Sequence, residues 1–230
     1  MSIACYSKTI EQYGFSIIPG VLDKHQVAAL RYEVRSALGR RSAKQYAMRR
    51  LLELVRGVSQ LCEETAIRTL LEPIIGDRAF PVRGIFFDKN PEANWGVSWH
   101  QDLTIAVIQR IDTEGFGPWS IKEGVDHVQP PVSILEKMLT LRIHLDDTDA
   151  DNGALRLIPG SHRRGIISPE TIANLKKHAI TTTVKSGGVL VMKPLLVHSS
   201  LPAGQPSHRR VLHIEFAAEE LPNGLQWYGS

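Results

Sequence analysis

Short β-forming runs alternate with turn sequences from Phe80 to the C-terminus, and this alternation restricts the fold more than any other feature of the chain. The turns between the runs are rich in Asp, Asn, Gly and Pro. Eight strands are predicted, over residues 82–88, 97–107, 139–145, 154–158, 180–185, 188–192, 195–199 and 209–217. Eight such strands are typical of a β-barrel or a two-sheet jelly roll.

The first third of the chain is predicted to be mainly helical, after a short strand within residues 13–21. Asp23 is a candidate N-cap for a helix over 24–38, and further helices are predicted over 43–56 and 62–71. Ser168 and Pro169 predict one more helix, over 168–179. Because no linker separates the helical part (about 1–80) from the barrel (about 80–217), we expect a single domain, 1–230, that is mainly β with packing helices.

Composition excludes several classes of protein. The 230 residues are 43% hydrophobic and 22% charged, which is the balance of a globular protein rather than a disordered one. A net charge of +3 gives no argument for nucleic-acid binding. Two cysteines exclude a disulfide scaffold and a Cys-rich metal site. The sequence lacks an apolar run of about 18 residues and a secretory signal, so we expect no membrane partner and a cytoplasmic location.

The sequence WHQDL, at residues 99–103, is the sharpest chemical feature. Residues two apart in a strand point to the same side, so His100 and Asp102 can present an imidazole and a carboxylate to one point. His198, near the end of a later predicted strand, is the candidate third ligand. Two histidines and one carboxylate on one face of a metal are typical of non-haem Fe(II) oxygenases, because the opposite positions stay open for a co-substrate and oxygen.

A second His-x-Asp pair, His144 and Asp146, competes with this assignment. Seven predicted strands run from His100 to the C-terminus, enough to bring a late histidine back beside an early one. Asp146 instead opens the Asp-rich turn DDTDADNG, a role for which Asp is well suited. The order of the strands therefore favours His100.

The last predicted strand carries an arginine that we expect to point into the barrel. Arg209, Val211, His213 and Glu215 share one face, while the other face is apolar apart from Arg210 and is predicted to pack against helices. An inward guanidinium needs an anion. The residues alone leave two partners open for it, the carboxylate of a co-substrate or a salt bridge to a group such as Glu215.

Together these segments resemble the phytanoyl-CoA dioxygenase family of Fe(II)/2-oxoglutarate oxygenases, and especially its small bacterial members. The resemblance covers roughly residues 80–217 and is carried by WHQDL, LRIHLDDTDADNGALRLIPGSHRRG, GGVLVMKPLLVHSS and HRRVLHIEF. It implies a double-stranded β-helix, which is a cupin-like jelly roll. It also implies hydroxylation of a small-molecule substrate by O₂, with decarboxylation of 2-oxoglutarate to succinate.

The resemblance implies an iron ion held by His100, Asp102 and His198 as catalytic metal ligands. Relatives that halogenate their substrates have a small residue in place of the aspartate, which leaves room for chloride. Asp102 therefore favours hydroxylation or desaturation over halogenation.

The resemblance also implies a set of residues that bind 2-oxoglutarate. Arg209 would bind its distal carboxylate, Gln101 would lie beside it, and Ser200 would add a hydroxyl. Arg142 lies at a strand position that faces the co-substrate in the family, where another residue type is usual. Arg142 has three possible roles: it can contact 2-oxoglutarate, bind an acidic substrate or form a structural ion pair.

Residues 108–138 connect the second and third predicted barrel strands and are too long for a simple hairpin. Segments of this kind are often lids, so this one is predicted to cover the metal, with Trp119 or His127 near the substrate. The alternative is that Trp119 packs on the barrel and His127 is solvated. Arg83 alternates with Ile85 and Phe87 and can face the interior, to bind a substrate anion or form a salt bridge.

Two other functions stay possible for such a barrel. One is a redox-neutral metal enzyme, an isomerase or hydrolase that uses Zn or Mn. The other is a non-catalytic ligand-binding barrel. The inward Arg209 disfavours the first, because such an enzyme needs no co-substrate anchor, and the complete ligand set disfavours the second. The sequence identifies neither the substrate nor the oligomeric state.

Overall fold

The N-terminal third supplies five helices and two strands. They are seen in a computed structural model that describes residues 3–39 and 47–229. Asp23 caps the second helix as predicted, because its carboxylate accepts hydrogen bonds from the backbone N–H groups of His25 and Gln26. In chain order the elements are α1 (Ile3–Tyr13), β1 (Phe15–Ile18), α2 (Lys24–Gly39), β2 (Ala47–Arg49), α3 (Leu51–Leu54), α4 (Arg56–Glu63) and α5 (Thr65–Ile75).

The predicted helix over 43–56 is wrong over residues 47–49, which form β2, but Leu51–Leu54 are helical as predicted. Residues 43–46 lie outside the described residues. Arg50 adopts a left-handed backbone, with φ of 60°, which separates β2 from α3. The predicted helix over 62–71 is replaced by α4 and α5, which break at the extended backbone of Glu64. Helix α5 includes Pro73 and continues to Ile75.

The remainder of the chain is rich in strands, as predicted, although the run 97–107 forms two strands rather than one. Ser168 caps α7 by accepting a hydrogen bond from the Thr171 N–H group. The elements are β3 (Phe80–Lys89), β4 (Val97–His100), β5 (Ile105–Val107), β6 (Trp119–Lys122), β7 (Val125–Val128), α6 (Val132–Glu136), β8 (Leu139–His144), β9 (Leu155–Leu157), α7 (Pro169–Leu175), β10 (Ile180–Thr181), β11 (Val189–Met192), β12 (His198–Ser200) and β13 (Arg209–Ala217).

Two antiparallel sheets form the barrel. The main sheet has the strand order β1-β11-β8-β13-β3-β2, and the second sheet has the order β10-β9-β12-β4. Their inner faces meet where Leu155 and Leu157 of β9 pack in one hydrophobic cluster with Leu190 and Met192 of β11. The candidate ligands on β4 and β12 thus lie opposite the inner face of the main sheet.

The helices cover the outer face of the main sheet, as the alternation in β13 predicts. Leu212, Ile214 and Phe216 are fully buried in the cluster that contains the apolar sides of α2, α4 and α5. Each such side chain contributes on the order of 2 kcal/mol by leaving water. The opposite, inner face of β13 is left for polar groups.

The segment 108–138 is not the irregular lid that its length suggested. Strands β6 and β7 form a hairpin, and β7 also pairs with β5 to give a separate three-stranded sheet in the order β5-β7-β6. Within the described residues, every helix is too short or too polar to span a lipid bilayer.

Candidate metal centre

His100 and His198 are brought together by the pairing of β4 with β12. The two residues are directly opposite in the ladder, and their ring centroids are 4.2 Å apart. The Nε2 atoms of His100 and His198 each lie 3.8 Å from a carboxylate oxygen of Asp102. One ligand atom from each of the three side chains lies within 4.8 Å of the others. The three predicted ligands therefore face a common centre.

Backbone carbonyls fix the protonation of both imidazoles. The Nδ1 atom of His100 lies 2.7 Å from the Ser98 carbonyl oxygen, and that of His198 lies 2.8 Å from the Leu196 carbonyl oxygen. A carbonyl only accepts, so each Nδ1 carries the proton and each Nε2 presents a lone pair to the centre. Burial lowers the pKa of His198 to about 4, which keeps the ring neutral as a metal ligand must be.

Asp102 is a partly buried carboxylate whose buried Oδ2 atom lacks a direct partner. Its Oδ2 atom makes no hydrogen bond to any part of the chain that the structure describes. Burial alone would raise the pKa of Asp102, but the imidazoles of His198, His213 and His100 and the guanidinium of Arg83 lower it to about 2. An ionised oxygen that faces two imidazole lone pairs is suited to a cation.

Asp102 reaches the centre in a different way from the one that the sequence suggests. Strand β4 ends at His100, so the i, i+2 alternation of a strand does not hold Asp102. The Asp102 N–H group instead donates to the Pro194 carbonyl oxygen at 2.9 Å, which holds the chain where it turns away from β4.

Gln101 positions this turn rather than lining the cavity at the metal centre. Its buried amide nitrogen donates to the carbonyl oxygens of Gly165 and Leu195, and its amide oxygen accepts from the Ile167 N–H group. All three contacts are with backbone groups. The side chain that the resemblance places beside the co-substrate therefore ties the Asp102 turn to two other loops.

The competing pair, His144 and Asp146, is divided between two other environments. His144 Nδ1 lies 2.7 Å from Thr148 Oγ1 on the inner side of the main sheet. Asp146 forms ion pairs with Arg31 and Arg210, both at 2.7 Å. Neither residue belongs to a cluster of three metal-ligating side chains in the described part of the chain, so the preference for His100 agrees with the geometry.

One end of the inner face is strongly cationic. Arg209, at 3% exposure, has Nε and Nη1 atoms without a hydrogen-bond partner in residues 3–39 and 47–229. Lys89, at 1% exposure, donates from Nζ to the hydroxyl of Ser200 at 3.0 Å and to the Leu201 carbonyl oxygen at 2.7 Å. Burial, with Arg209 and Arg142, lowers the pKa of Lys89 to about 8. These groups need an anion.

Lys89 is not among the site residues predicted from the sequence, although a signal for it exists. The alternation that turns Arg83, Ile85 and Phe87 inward continues by one step to Lys89 at the end of β3. All four line a cavity of about 100 Å³ at the metal centre, together with the ligands, Arg142, Ser200 and Arg209. Ser200 and Arg209 thus line the cavity at the metal centre, and their contact with 2-oxoglutarate stays a prediction.

Arg142 contacts a histidine rather than an acid. Its Nη1 atom lies 2.9 Å from His213 Nδ1. Since arginine only donates, His213 Nδ1 is the acceptor, and its protonated Nε2 donates to Glu215 Oε1 at 3.2 Å. Both ring nitrogens of His213 are thus engaged. For this reason the second cluster of possible ligands, Asp102, His213 and Glu215, has no free imidazole lone pair for a cation.

Arg83, not Arg209, forms the ion pair with Glu215. The alternative in which Arg209 bonds to Glu215 is therefore wrong, because the two side chains are six residues apart on the same face of β13. One terminal nitrogen of Arg83 forms the ion pair with Glu215, while its Nε atom has no hydrogen-bond partner among the residues described.

The two candidate substrate residues of segment 108–138 lie on opposite faces of the three-stranded sheet. Trp119 packs against a hydrophobic cluster that contains Val107 and Val128, and the guanidinium of Arg110 lies 5.4 Å from its ring centroid. His127 is buried and lines a second cavity that also contains Arg83. The expectation of a solvated His127 is therefore wrong, and packing of Trp119 is confirmed.

A sequence comparison decides the family. The model of the phytanoyl-CoA dioxygenase (PhyH) family matches residues 10–211, which is most of the chain. The chain belongs to the phytanoyl-CoA dioxygenase family. The match extends beyond the barrel into the helical part, and it confirms the resemblance inferred from the motifs. A comparison with curated protein sequences found no match to this chain.

Solved structures show which fold this family member has. It is similar to AviO1 from Streptomyces viridochromogenes Tue57, with 21% identity, coverage of 96% of this chain and 97% of AviO1, and a TM-score of 0.69. EctD from S. alaskensis, solved with 2-oxoglutarate and 5-hydroxyectoine, is 18% identical over 95% of this chain and 76% of EctD, with a TM-score of 0.73. The α-ketoglutarate-dependent epimerase SnoN from nogalamycin biosynthesis is 17% identical over 94% of this chain and 80% of SnoN, with a TM-score of 0.70. The predicted double-stranded β-helix is confirmed.

Proposed function

We propose that this chain is an Fe(II)- and 2-oxoglutarate-dependent dioxygenase that hydroxylates a small molecule. One observation carries the proposal. Two imidazole lone pairs and an unpartnered carboxylate oxygen converge beside a set of buried cations that lack an anion. A divalent metal fits the first group, and a dicarboxylate co-substrate fits the second.

The donor set fits iron. Two neutral nitrogens and one carboxylate oxygen are the ligands of non-haem Fe(II) oxygenases, and the carboxylate of Asp102 neutralises one of the two metal charges. EctD, a structural neighbour at 17% identity, has been solved with bound Fe. Iron and 2-oxoglutarate, when bound, supply the activation of O₂ and the oxidation of the substrate. His100 and His198 contribute two oriented lone pairs, and their backbone hydrogen bonds keep the rings from turning.

Arg209, Lys89 and Ser200 bind the distal carboxylate of 2-oxoglutarate in this proposal. A carboxylate offers enough acceptor sites for a guanidinium, an ammonium and a hydroxyl. The inner wall beside them contains Phe87 and Leu155, which exclude water and strengthen these charged hydrogen bonds. A redox-neutral metal enzyme has no use for such an anion site, so the alternative isomerase or hydrolase is disfavoured.

Hydroxylation is the outcome that we propose. Asp102 occupies the ligand position that halogenating relatives leave open. Two structural neighbours are described as an epimerase and a carbocyclase, so the fold supports several outcomes and the position of the substrate selects among them. Incorporation of one oxygen atom from ¹⁸O₂ into the product distinguishes hydroxylation from epimerisation and cyclisation.

Anaerobic addition of Fe(II) and 2-oxoglutarate tests the site without knowledge of the substrate. We expect a weak visible charge-transfer band, because 2-oxoglutarate chelates the metal, and slow formation of succinate once O₂ is admitted. His198→Ala should remove the band. His144→Gln, which changes the competing histidine, should leave it in place. A wild-type protein that shows no band and binds neither ligand would overturn the proposal.

A further inference from the structure

A second cavity, of about 300 Å³, adjoins the metal centre. Arg83 and Ile85 line both this cavity and the smaller one that contains the metal ligands. The two spaces are therefore neighbours along β3. A volume of this size is typical of a site for a small molecule.

The second cavity lies on the far side of the metal ligands from the co-substrate cations. The inner face of β3 runs from Lys89 to Arg83, a length of about 20 Å at ~3.4 Å per residue. In the strand register, Lys89 lies opposite Arg209 at one end, and Arg83 lies opposite Glu215 at the other. Between these ends, on the strand that pairs with β3, His213 Nε2 lies 4.0 Å from the Asp102 carboxylate. A molecule in the second cavity would thus approach the metal from the side opposite Lys89.

The three-stranded sheet closes the other side of the second cavity. Its register pairs Lys122 with Val125 and places Ala106 beside His127, so that all four side chains share one face. All four line the cavity. The opposite face of the same sheet packs into the core through Ile105, Val107 and Val128. The hairpin is therefore held rigidly while it presents Lys122 and His127 to the cavity.

Most cations on the cavity wall are already neutralised. Each of the three arginines is paired with a carboxylate, which makes it a poor partner for a new anion. The pairs are Arg49 with Glu123, Arg50 with Glu53, and Arg83 with Glu215.

Lys122 differs from the three arginines, because its hydrogen-bond partner is a neutral hydroxyl group. The half-buried ammonium donates to the Thr104 hydroxyl at 3.1 Å, and no carboxylate within 4.0 Å of it is found in residues 3–39 and 47–229. Thr104 follows the metal ligand Asp102 by two residues, so this contact holds the ammonium close to the metal centre. Glu63, the remaining acid on the wall, is an exposed residue of α4.

His127 adds a neutral acceptor. Its Nδ1 lies 3.0 Å from the Val125 carbonyl oxygen and must donate to it, which leaves a lone pair on Nε2. Burial, together with the nearby Arg83, Lys122 and Arg49, lowers the pKa of His127 to about 4. The ring is thus a hydrogen-bond acceptor for a hydroxyl or amine at neutral pH.

We propose that this cavity is the substrate site, and that Lys122 binds an oxyanion of the substrate, either a carboxylate or a phosphate. The inference rests on the proposed function, because it takes the adjacent metal centre as the place of reaction. Apolar side chains on the wall hold the carbon skeleton, and His127 accepts a hydrogen bond from it. The apolar lining consists of Leu52, Pro81, Ile85, Ala106 and Val125.

Binding of simple probes tests this inference on the full chain loaded with Mn(II) and saturated with 2-oxoglutarate, which blocks the anion site at Arg209. The probes are benzoate, phenyl phosphate and benzyl alcohol, measured by isothermal titration calorimetry. We expect one or both anions to bind more tightly than the neutral alcohol. Lys122→Met should weaken anion binding about tenfold, the effect of losing one charged hydrogen bond, and should leave the alcohol unaffected.

Two further variants separate a binding role from a structural one. Lys122→Arg keeps the charge and should restore anion binding. Lys137→Met removes an exposed lysine that is paired with Glu219 and should change nothing. Preference for benzoate or for phenyl phosphate identifies which oxyanion the site takes. Equal anion binding by wild type and Lys122→Met, or no binding of any probe, would overturn the inference.

The same samples report separately on the proposed function. Titrations with Mn(II) and with 2-oxoglutarate measure the metal centre directly. If both bind and His198→Ala abolishes metal binding, a failure of the anion probes refutes only the substrate class. If neither binds, the proposed function fails first.

Discussion

Lys89 on β3 and Arg209 on β13 lie directly opposite each other in the main sheet, and both side chains are almost fully buried. Like charges at directly opposed positions destabilise a sheet. Neither side chain is within salt-bridge distance of a carboxylate in the parts of the chain that are described. The repulsion between Lys89 and Arg209 is therefore a cost to the fold, which the proposed binding of a dicarboxylate would offset.

We expect 2-oxoglutarate to raise the thermal stability of the metal-loaded protein. At a ligand concentration of about 100 Kd the stabilisation is about 2.7 kcal/mol, which corresponds to roughly 5–10 °C in Tm for a chain of this size. Lys89→Met should raise the Tm of the ligand-free protein and reduce the shift caused by the ligand. Scanning fluorimetry measures both. An unchanged shift in the variant would contradict the role of Lys89.

Arg209 and Arg210 form a matched pair of variants, because they are adjacent and face opposite sides of β13. Arg209→Ala should weaken 2-oxoglutarate binding by ~2–3 kcal/mol, the value of a charged hydrogen-bonded contact. Arg210→Ala breaks the ion pair with Asp146 and should lower stability without changing this affinity. Calorimetric titration of Mn(II)-loaded protein gives the two constants. If Arg209→Ala bound 2-oxoglutarate normally, Arg142 would become the candidate for the anchor.

Removal of Asp102 should weaken metal binding strongly and abolish hydroxylation. Asp102→Ala deletes the only charged ligand, so we expect Mn(II) affinity to fall more than about 100-fold, beyond the usual effect of altering a partner of a ligand. Asp112→Ala, which breaks an exposed ion pair with Arg110, is the control. Electron paramagnetic resonance of free Mn(II) provides the measurement. Normal binding by folded Asp102→Ala would rule out the metal assignment.

The free energy of unfolding should depend on pH through the titration of Lys89. Its pKa is about 8 in the folded protein and 10.5 ordinarily, so the unfolded chain binds more protons between these values. Stability linked to this group is lowest below pH 8 and rises as the pH approaches 10.5. The extra stability of Lys89→Met should therefore shrink from about pH 7.5 to about pH 10 in urea titrations of metal-free protein. A constant difference would contradict the assigned pKa.

Gln101 should prove important for stability and for the geometry of the metal centre. Gln101→Ala leaves two buried backbone groups and one partly buried backbone group without their partner, and we expect a loss of about 2–3 kcal/mol in the free energy of unfolding. Weaker Mn(II) binding should accompany it, because the turn that holds Asp102 loosens. Gln12→Ala, at an exposed position, is the control. Full stability in Gln101→Ala would show that the three hydrogen bonds do not hold the turn.

Several features of the protein follow from local sequence patterns. The two faces of β13 are largely predictable, because Leu212, Ile214 and Phe216 fall on one face while Arg209, His213 and Glu215 fall on the other. The cap at Asp23 and the N-terminus of α7 are equally local, since a side chain bonds to backbone groups within three residues. The His-x-Asp pair and the later histidine identify candidate ligands by residue type. Alternation and capping need no knowledge of distant contacts.

Other features depend on the order and register of strands that are far apart in the chain. Periodicity shows that Arg83 turns inward, but only the pairing of β3 with β13 gives it Glu215 and gives Lys89 its neighbour Arg209. The β6–β7 hairpin, which brings Lys122 beside Thr104, likewise has too weak a local sequence pattern to be predicted. Sequence alone determined which side chains bear the chemistry and which faces they occupy. The tertiary structure decided their partners, because the contacts between β3, β13 and the hairpin are made only when residues separated by many positions are packed together.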